Sequence, residues 1–303
     1  MKDYLNEINE RFEIRRKPEQ KTDFFNYVCQ EIGQNRVKEE VLEGKHRNIV
    51  IGDIEEADVI FTAHYDTPAA SLIPNLMLPA NKALAMLYQI GYGVLLALLS
   101  LFIAMVADSL FEVGQAVTLL IYTALFFALF YLSTRAFTNK HNKNDNTSGV
   151  ATVLSLAASN NAKNIAFVLF DNEEKGLLGS KAMNKKYEKI IKNKLVINFD
   201  CVGNGDQIIA IYKDGAQNHP LYKHFLSSLA STNSYKVTYI PFKKSLGNSD
   251  HKSFECSVGV VAAKKGRLVK FYTARLHTKK DTVASNQNVY YLAEKMQNFI
   301  SKI

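Results

Sequence analysis

The sequence FDNEEKGLLGS at residues 170–180 places two adjacent glutamates directly after an apolar run. The run NIAFVL (164–169) is typical of a buried strand, and Gly176 marks the start of a helix-like segment. Glu173 and Glu174 therefore fall at the carboxyl edge of a predicted strand, where ligand sites of open α/β sheets gather. One glutamate could bind a metal ion while its neighbour handles a proton. A solvated acidic turn would have the same local sequence.

Strand-like and helix-like segments alternate along the chain, which predicts an α/β sheet with helices on both faces. The predicted strands are 47–52, 57–64, 164–170, 194–200, 207–212, 235–241, 259–263 and 268–274. The predicted helices are 1–34, broken at Pro18, then 150–159, a helix from Gly176, 220–231 and 286–303. Internal repeats and low-complexity linkers are absent from the sequence, so one domain accounts for this alternation.

Two apolar segments interrupt the alternation. Residues 83–107 give 25 consecutive residues without a charge, and residues 113–134 give another 22. A helix needs about 20 residues to cross a bilayer. We therefore predict a transmembrane helical hairpin at 83–134, inserted into a discontinuous domain formed by 1–82 and 135–303. The alternative is a buried hairpin in the core of a large soluble protein.

Charges around the apolar segments predict their orientation. The connector contains Asp108 and Glu112 but no lysine or arginine. The outer flanks carry Lys82, Arg135, Lys140 and Lys143. Because basic flanks stay in the cytoplasm, we expect a two-span protein of the cell membrane with its catalytic domain in the cytoplasm.

The overall charge is basic, at +8 in a chain of 303 residues that is 47% hydrophobic and 22% charged. Lysines cluster at 181–194 and 264–280. No nucleic-acid-binding motif accompanies these clusters and aromatic residues do not interleave with them, so we expect no nucleic-acid partner. The clusters would suit an anionic membrane leaflet.

Cysteine usage and the N-terminal segment also bear on location. The three cysteines, Cys29, Cys201 and Cys256, include no closely spaced pair. This sparse, odd count argues against a disulfide framework and fits a reducing compartment. Residues 1–20 are charged and lack an apolar core, so we expect no signal peptide there.

Histidines and carboxylates recur at the ends of predicted strands or in adjoining turns. Besides the glutamate pair, these are His64, Asp66, Asp145, Asp200 and His277. Two imidazoles and several carboxylates at one sheet edge would suit zinc. With this many ligands, two metal ions could share a bridging carboxylate, about 3.5–4 Å apart.

Carboxylates near the two histidines are candidates for orienting them. His64 and Asp66 are two residues apart, so on a strand their side chains would point the same way and Asp66 could hold the imidazole. Asp281, four residues after His277, is a candidate for a similar role. Cys201 would point to the opposite face from Asp200 if both lay in the strand, which predicts a packing role.

The other histidines are weaker candidates for metal ligands. We interpret His46, His219 and His224 as structural residues in polar or helical surface contexts. His141 is close to Asp145 in sequence but sits in a run of asparagine and lysine, which makes it a weaker ligand candidate.

Six motifs in order give the chain a family resemblance. They are AHYDT (63–67), NDNTSGVA (144–151), FDNEEKGLLGS (170–180), NFDCVG (198–203), SDHKSF (249–254) and LHTKKDT (276–282). The set resembles the di-zinc exopeptidase family that includes secreted bacterial leucyl aminopeptidases and aminopeptidase Y. The resemblance runs from about residue 47 to the end, except the hairpin. It implies a three-layer αβα fold with a central mixed, mostly parallel sheet, the zinc exopeptidase fold.

The resemblance also implies roles for individual residues. Asp145 would bridge two zinc ions, with His64 and Asp200 completing one site and Glu174 and His277 the other. Glu173 would be the general base that takes a proton from the metal-bridging water. The implied activity is hydrolysis of peptide substrates, of the aminopeptidase type. Asp250, His251 and Phe254 would lie on a loop near the substrate, or serve a purely structural role.

The chain departs from the family at the hairpin. Residues 67–144, 78 in all, separate Asp66 from Asp145, where soluble members have a short link. The active site should therefore face the membrane closely, which opens the possibility of substrates at the bilayer surface. Two alternatives remain: glutaminyl cyclisation, which related enzymes carry out with one zinc ion, and a non-catalytic membrane receptor or scaffold of the same fold, as in transferrin receptors.

Overall fold

The chain forms a mixed β-sheet with helices on both faces and a long helical hairpin inserted between two of its strands. A computed structural model describes residues 1–71, 75–135 and 137–303. The first half contains α1 (Tyr4–Arg11), α2 (Pro18–Ile32), β1 (Val37–Leu42), β2 (His46–Ile51), β3 (Val59–His64), β4 (Ala69–Ala70), β5 (Asn75–Met77), α3 (Lys82–Phe111), α4 (Gln115–Thr134), β6 (Phe137–Thr138) and α5 (Gly149–Ala158). The second half contains β7 (Ile165–Phe170), α6 (Leu178–Lys186), α7 (Glu188–Ile191), β8 (Leu195–Phe199), β9 (Gln207–Tyr212), α8 (Asp214–Asn218), α9 (Tyr222–Ser228), β10 (Lys236–Pro241), β11 (Ser257–Lys265), β12 (Phe271–Leu276) and α10 (Asn286–Ile300).

The centre of the sheet is parallel and antiparallel pairs flank it, whereas β10 pairs with β9 in parallel at one edge. The strand order is β1-β2-β7-β3-β8-β11-β12-β5, and β9 joins β11 to β10. The strands β7, β3, β8 and β11 run parallel to their neighbours in that central block. The first three are buried along their whole length, as expected for parallel strands covered on both faces. The predicted mixed α/β sheet is confirmed.

Alternate residues of the central strands pack against different helix layers. Phe61 and Phe167 stack with their ring centroids 5.7 Å apart, in the core that α1, α2, α5, α9 and α10 cover. Ile60 and Val168 point into a smaller core under α6 and α7. This alternation, with period two, produces the three layers.

The hairpin reverses the usual pattern of burial. Its helices α3 and α4 pack on each other, and the hydroxyl of Tyr92 donates a hydrogen bond to that of Ser133. Only 17% of the most apolar window of α3 is buried, and 6% of that of α4. Both helices are long and apolar enough to cross a membrane. Such exposure contradicts the alternative of a buried core hairpin.

Several boundaries differ from the predicted ones for local reasons. The helix predicted over residues 1–34 is broken into two as expected, but the first helix already stops at Arg11. Pro18 begins α2, because proline at the first helical position loses no hydrogen bond. The connector of the hairpin is shorter than predicted, because α3 continues to Phe111 and Glu112 caps it in the left-handed conformation. Asp108 therefore lies in the last turn of α3, where its carboxylate accepts a hydrogen bond from the N–H of Gly114 in the connector.

Candidate metal centre

The candidate ligands lie at one edge of the sheet. His64 is the last residue of β3, Asp200 directly follows β8, and Glu173 and Glu174 lie in the turn after β7. These three strands are adjacent and parallel, so their carboxyl ends meet at the same edge. The local alternation of wholly apolar strands and polar turns thus brings distant parts of the sequence together.

Asp145 lies between two imidazoles. It belongs to an irregular turn before α5, and its peptide bond to Asn146 is cis. Its Oδ1 lies 3.4 Å from Nε2 of His64, and its Oδ2 lies 3.0 Å from Nε2 of His277. Each oxygen of one carboxylate therefore faces a different histidine.

All five sequence-predicted ligands come together in two groups that share Asp145. One group is His64, Asp145 and Asp200, and the other is Asp145, Glu174 and His277. Within each group the ligand atoms lie within 4.8 Å of one another. Nε2 of His64 is 3.7 Å from Oδ1 of Asp200, and Nε2 of His277 is 3.6 Å from Oε2 of Glu174. A third group joins His64 to Glu173 and Glu174.

The chemistry of these donors fits zinc. Nitrogen and carboxylate oxygen are zinc ligands, and three protein ligands per ion leave a position for water or substrate. Oδ1 of Asp200 is buried and has no hydrogen-bond partner in the described part of the chain. Burial and neighbouring carboxylates such as Asp145 raise the pKa of Glu174 to about 8. Burial opposes the charging of His277, but Glu174 and Asp145 outweigh it and raise its pKa to about 9. Such a group of buried carboxylates is costly unless cations balance it.

His64 is oriented by the chain that follows it. Its Nδ1 lies 3.1 Å from the backbone oxygen of Asp66, which can only accept a hydrogen bond. The proton therefore sits on Nδ1, and Nε2 is free to face Asp145 and Asp200.

The carboxylate of Asp66 holds the glutamate pair. It lies 3.6 Å from Nδ1 of His64, close to the imidazole as the sequence predicts. Its oxygens accept hydrogen bonds from the backbone N–H groups of Glu173, at 3.0 Å, and Glu174, at 3.2 Å. Asp66 therefore fixes the turn that carries both glutamates, a role that the sequence did not indicate.

Asp281 orients the turn of Asp145. Its oxygens accept hydrogen bonds from the N–H groups of Asn144, at 3.2 Å, and Asp145, at 2.9 Å. Burial and the nearby carboxylate of Asp145 raise the pKa of Asp281 to about 7. The predicted partner of Asp281 was His277, whereas these two hydrogen bonds hold the turn of Asp145, the candidate ligand that both groups share.

Arg15 is a supporting residue that sequence reasoning missed. Its guanidinium is fully buried and donates hydrogen bonds to the backbone oxygen of Tyr65, at 2.5 Å, and to the hydroxyl of Thr147, at 3.1 Å. It ties the segment after His64 to the turn of Asp145. The charged run around Arg15 looks like a solvated segment, so the sequence contains no signal for this role.

Asn146 is a second supporting residue. Its Oδ1 accepts hydrogen bonds from the N–H groups of Gly149 and Cys201, both at 3.1 Å. Its Nδ2 donates to the backbone oxygen of Phe199 at 2.9 Å. The side chain therefore joins the turn of Asp145 to the end of β8. Its position inside NDNTSGVA was the signal that could have found it.

The position predicted for Cys201 is wrong. Strand β8 ends at Phe199, and Cys201 has a φ of 55°. The chain has left the strand, so strand alternation does not apply to this residue. Cys201 lines the same cavity as Asp145 and Asp200. Its thiol is buried, and burial raises its pKa well above the usual value.

The SDHKSF loop divides between the cavity and the core. His251 is buried and lines the cavity with Glu173 and Asp200. Burial lowers the pKa of His251 to about 4. Phe254 stacks on Phe170 with ring centroids 5.8 Å apart, which is a packing role. Asp250 is also buried, and burial raises its pKa to about 7.

The remaining histidines lie outside the three ligand groups found among the described residues. His46 is not on the surface as expected: it is 3% exposed in β2, with Nδ1 3.1 Å from Nδ2 of Asn172. His224 is exposed, and His141 and His219 are partly exposed.

Comparisons with known proteins agree with this geometry. Residues 138–299, more than half of the chain, match the model of Peptidase family M28. No curated protein sequence matches the chain significantly.

Solved structures share the fold at low sequence identity. LapA aminopeptidase from Legionella pneumophila is 15% identical, with a TM-score of 0.56 over 98% of this chain and 69% of that one. A Zn-dependent exopeptidase from Parabacteroides distasonis is 14% identical, with a TM-score of 0.57 over 98% and 94%. Porphyromonas gingivalis glutaminyl cyclase is 12% identical, with a TM-score of 0.56 over 99% and 97%. The family model and the shared fold together show that this chain belongs to peptidase family M28, a family of zinc metallopeptidases.

Proposed function

We propose that the chain is a membrane-anchored zinc metallopeptidase of the aminopeptidase type, with two zinc ions per chain and its catalytic domain in the cytoplasm. The observation that carries the proposal is the position of Asp145. Its two oxygens face Nε2 atoms of different histidines at 3.4 and 3.0 Å, as a bridging ligand requires.

Each proposed zinc site has three protein ligands. His64, Asp145 and Asp200 would hold one ion, and Asp145, Glu174 and His277 the other. When bound, zinc supplies Lewis acidity that polarises a carbonyl group and makes water more acidic. Asp66 and Asp281 hold the ligand-bearing turns, so the ligands are positioned before metal binds.

Glu173 is the proposed general base. It lines the same cavity as the ligands, and its backbone is fixed by Asp66. Its carboxylate takes a proton from the water whose oxygen attacks the carbonyl carbon of the substrate. It then delivers this proton to the leaving nitrogen as the carbon–nitrogen bond breaks, which yields a carboxylic acid and an amine. Burial raises the pKa of Glu173, which favours holding that proton between the two steps.

The aminopeptidase type is proposed from the likeness to LapA aminopeptidase from Legionella pneumophila, whose fold this chain shares. Five carboxylates line the two cavities at the candidate ligands: Asp66, Asp145, Glu173, Glu174 and Asp200. Basic side chains line the same cavities: Arg16, Lys17, Lys21, Arg135 and Lys175. A carboxylate that no zinc ion neutralises could pair with the α-ammonium group of a peptide N-terminus.

Digestion of a peptide library with purified protein and zinc, followed by mass spectrometry, tests the proposal. We expect removal of N-terminal residues that a chelator abolishes, from a protein with two zinc ions per chain. The fold is shared with a glutaminyl cyclase, so peptides that begin with glutamine belong in the library. Ring closure with one zinc ion per chain would favour the cyclase alternative. Absence of both reactions would favour a non-catalytic receptor, although every proposed ligand position is filled in this chain.

The hairpin supports membrane anchoring. Its helices are apolar along most of their exposed surface, and the basic residues lie at its base. Both flanks, and with them the discontinuous domain of residues 1–82 and 135–303, would then lie in the cytoplasm.

A further inference from the structure

The first turns of α3 form a wall of the catalytic site. Ala85 and Gln89, four residues apart on one face of the helix, line a cavity of about 330 Å³ that we call the inner cavity. The inner cavity also contains Asp145, Glu173 and Asp200. A helix of the membrane hairpin therefore borders the groups proposed to carry out the reaction.

The last turns of α4 form a wall on the other side. Phe130, Tyr131 and Thr134 line a larger cavity of about 730 Å³, which we call the outer cavity. The two cavities have three residues in common, Arg135, Glu174 and His277. They therefore meet at the metal ligands, and together they make one catalytic cleft with both hairpin helices in its walls.

The same helical turns are apolar on their outer side. On α3, Leu87 is 63% exposed and Ile90 is 56% exposed, at the level of Ala85 and Gln89 along the helix. On α4, Leu132 is 43% exposed between the cavity-lining Tyr131 and Thr134. One side of each helix therefore borders the cleft, and another side of the same turns exposes apolar side chains. The two sets of residues lie within about 8 Å of each other along the helix axis, at 1.5 Å per residue. The cleft therefore begins where the lipid-facing surface begins.

Short strands fasten the base of the hairpin to the site. Strand β5, just before α3, pairs with β12 through Asn75 and Leu276, the residue before His277. The N–H of Ser71 donates to the backbone oxygen of His277 at 2.6 Å. Strand β4 pairs with β6, just after α4. These contacts link the hairpin directly to a proposed metal ligand.

Basic side chains surround the outer cavity. Arg16, Lys17, Arg135 and Lys175 line it, and the last three are exposed. Cations at a membrane surface attract anionic headgroups by about 1 kcal/mol each. The rim of the cleft is thus suited to lie against an anionic leaflet.

From this arrangement we infer that the substrates are membrane-tethered polypeptides, whose free N-terminal end enters the cleft at the bilayer surface. The inference rests on the proposed function and names the substrate class of the same site. The continuity of the cleft with the lipid-facing surface favours a tethered occupant over a peptide that diffuses from solution.

The length of the tether gives the test. Wild-type protein is placed in vesicles that contain anionic lipid, with peptides that share one N-terminal sequence and end in a lipid-anchored residue. Linkers of about 4, 8 and 16 residues separate the scissile bond from the anchor, so the shortest reaches about 14 Å when extended. We expect kcat/KM at equal surface density to differ less than threefold across the series. A decrease of tenfold or more for the shortest linker would overturn the inference, because it would place the cleft away from the bilayer.

A pair of variants tests the wall itself. Gln89→Trp would fill the inner cavity, and Leu98→Trp would add the same side chain to the lipid-facing surface of α3, where Leu98 is 60% exposed. We expect Gln89→Trp to lower kcat/KM for the shortest tethered peptide at least tenfold with zinc content unchanged, and Leu98→Trp to leave it unchanged. Equal rates in both variants would contradict the wall assignment. Hydrolysis of an untethered aminoacyl amide by the wild type is measured alongside, since its absence would contradict the proposed function instead.

Discussion

The sheet edge and the hairpin break the usual pattern of burial in opposite directions. At the sheet edge, charged groups are buried: His64 is 1% exposed and Asp145 is 4% exposed. In the hairpin, hydrocarbon is exposed: Leu110 is 69% exposed and Phe102 is 66% exposed. Neither arrangement is favourable for a chain alone in water. Each region is therefore consistent with the component that we propose for it, cations at the sheet edge and lipid around the hairpin.

The two regions also differ in how strongly their structure depends on the identity of single side chains. The ligand turns are held by hydrogen bonds from several segments, through Asp66, Asp281 and Asn146. The hairpin depends mainly on apolar character, which many residues can provide. We therefore expect single substitutions to have large effects at the sheet edge and small effects on the lipid-facing surface.

The largest expected effect follows from removing the shared ligand. Asp145→Ala takes one ligand from both proposed sites, so we expect zinc content to fall from two ions per chain to less than one and hydrolysis to become undetectable. Metal analysis and an aminoacyl-nitroanilide assay measure both. Asp206→Ala, which removes an exposed carboxylate beyond β8, is the matched control. Two zinc ions retained in Asp145→Ala would refute the bridging role.

The next largest effect is expected on turnover and not on zinc binding, which separates the proton-transfer role from the ligand role. Glu173→Gln keeps the shape of the side chain but cannot accept the proton, so kcat should fall about 10²- to 10⁴-fold while zinc content stays unchanged. Glu294→Gln, at an exposed position on α10, serves as the control. Turnover like that of the wild type in Glu173→Gln would exclude Glu173 as the base.

A smaller effect is expected one step away from the metal. Asp281→Asn replaces a carboxylate that accepts hydrogen bonds from the backbone N–H groups of Asn144 and Asp145. Residues that orient ligands in this way typically contribute about 10- to 100-fold to metal affinity. We expect that loss in a competition titration with a chelator, with kcat recovered at saturating zinc. An unchanged affinity would show that the Asp145 turn needs no such support.

The smallest effect on activity is expected for a cysteine variant in the hairpin, and labelling of that cysteine tests the orientation of the hairpin. Ser109 is exposed near the end of α3, so Ser109→Cys in a Cys29→Ser background should react with an impermeant thiol reagent on intact cells. Lys140→Cys should react only after permeabilisation, because it lies on the opposite side. Hydrolysis should be unchanged in the first variant. No labelling at position 109 would contradict the proposed orientation.

Much of the fold follows from strong local patterns. The strands β3, β7 and β8 are mostly apolar runs between polar turns, so both their existence and the position of the candidate ligands at their ends could be predicted. Strand β1, with the sequence VKEEVL, was missed because three consecutive charged residues hide the alternation, and one of them, Glu40, is buried while Val41 is exposed. The end of α1 was also missed, since the apolar spacing continues past Arg11 although the helix does not.

The supporting contacts of the site could not be predicted from sequence. The hydrogen bonds from the glutamate turn to Asp66 and from Arg15 to Tyr65 join segments that come together only in the folded chain. A buried arginine in a run of charges has the same local sequence as a solvated one. Motif order could therefore place the candidate ligands, but not the long-range contacts through which other residues hold them.

In the proposed site, two metal ions act together in a cleft that Asp145 organises. The most direct test of this arrangement is a titration of metal-free protein with zinc, in which bound metal and the rate of N-terminal residue release are measured at each step. Two equivalents should bind, and the rate should continue to rise until the second is bound. A rate that is maximal at one equivalent, with no second ion bound, would contradict this arrangement.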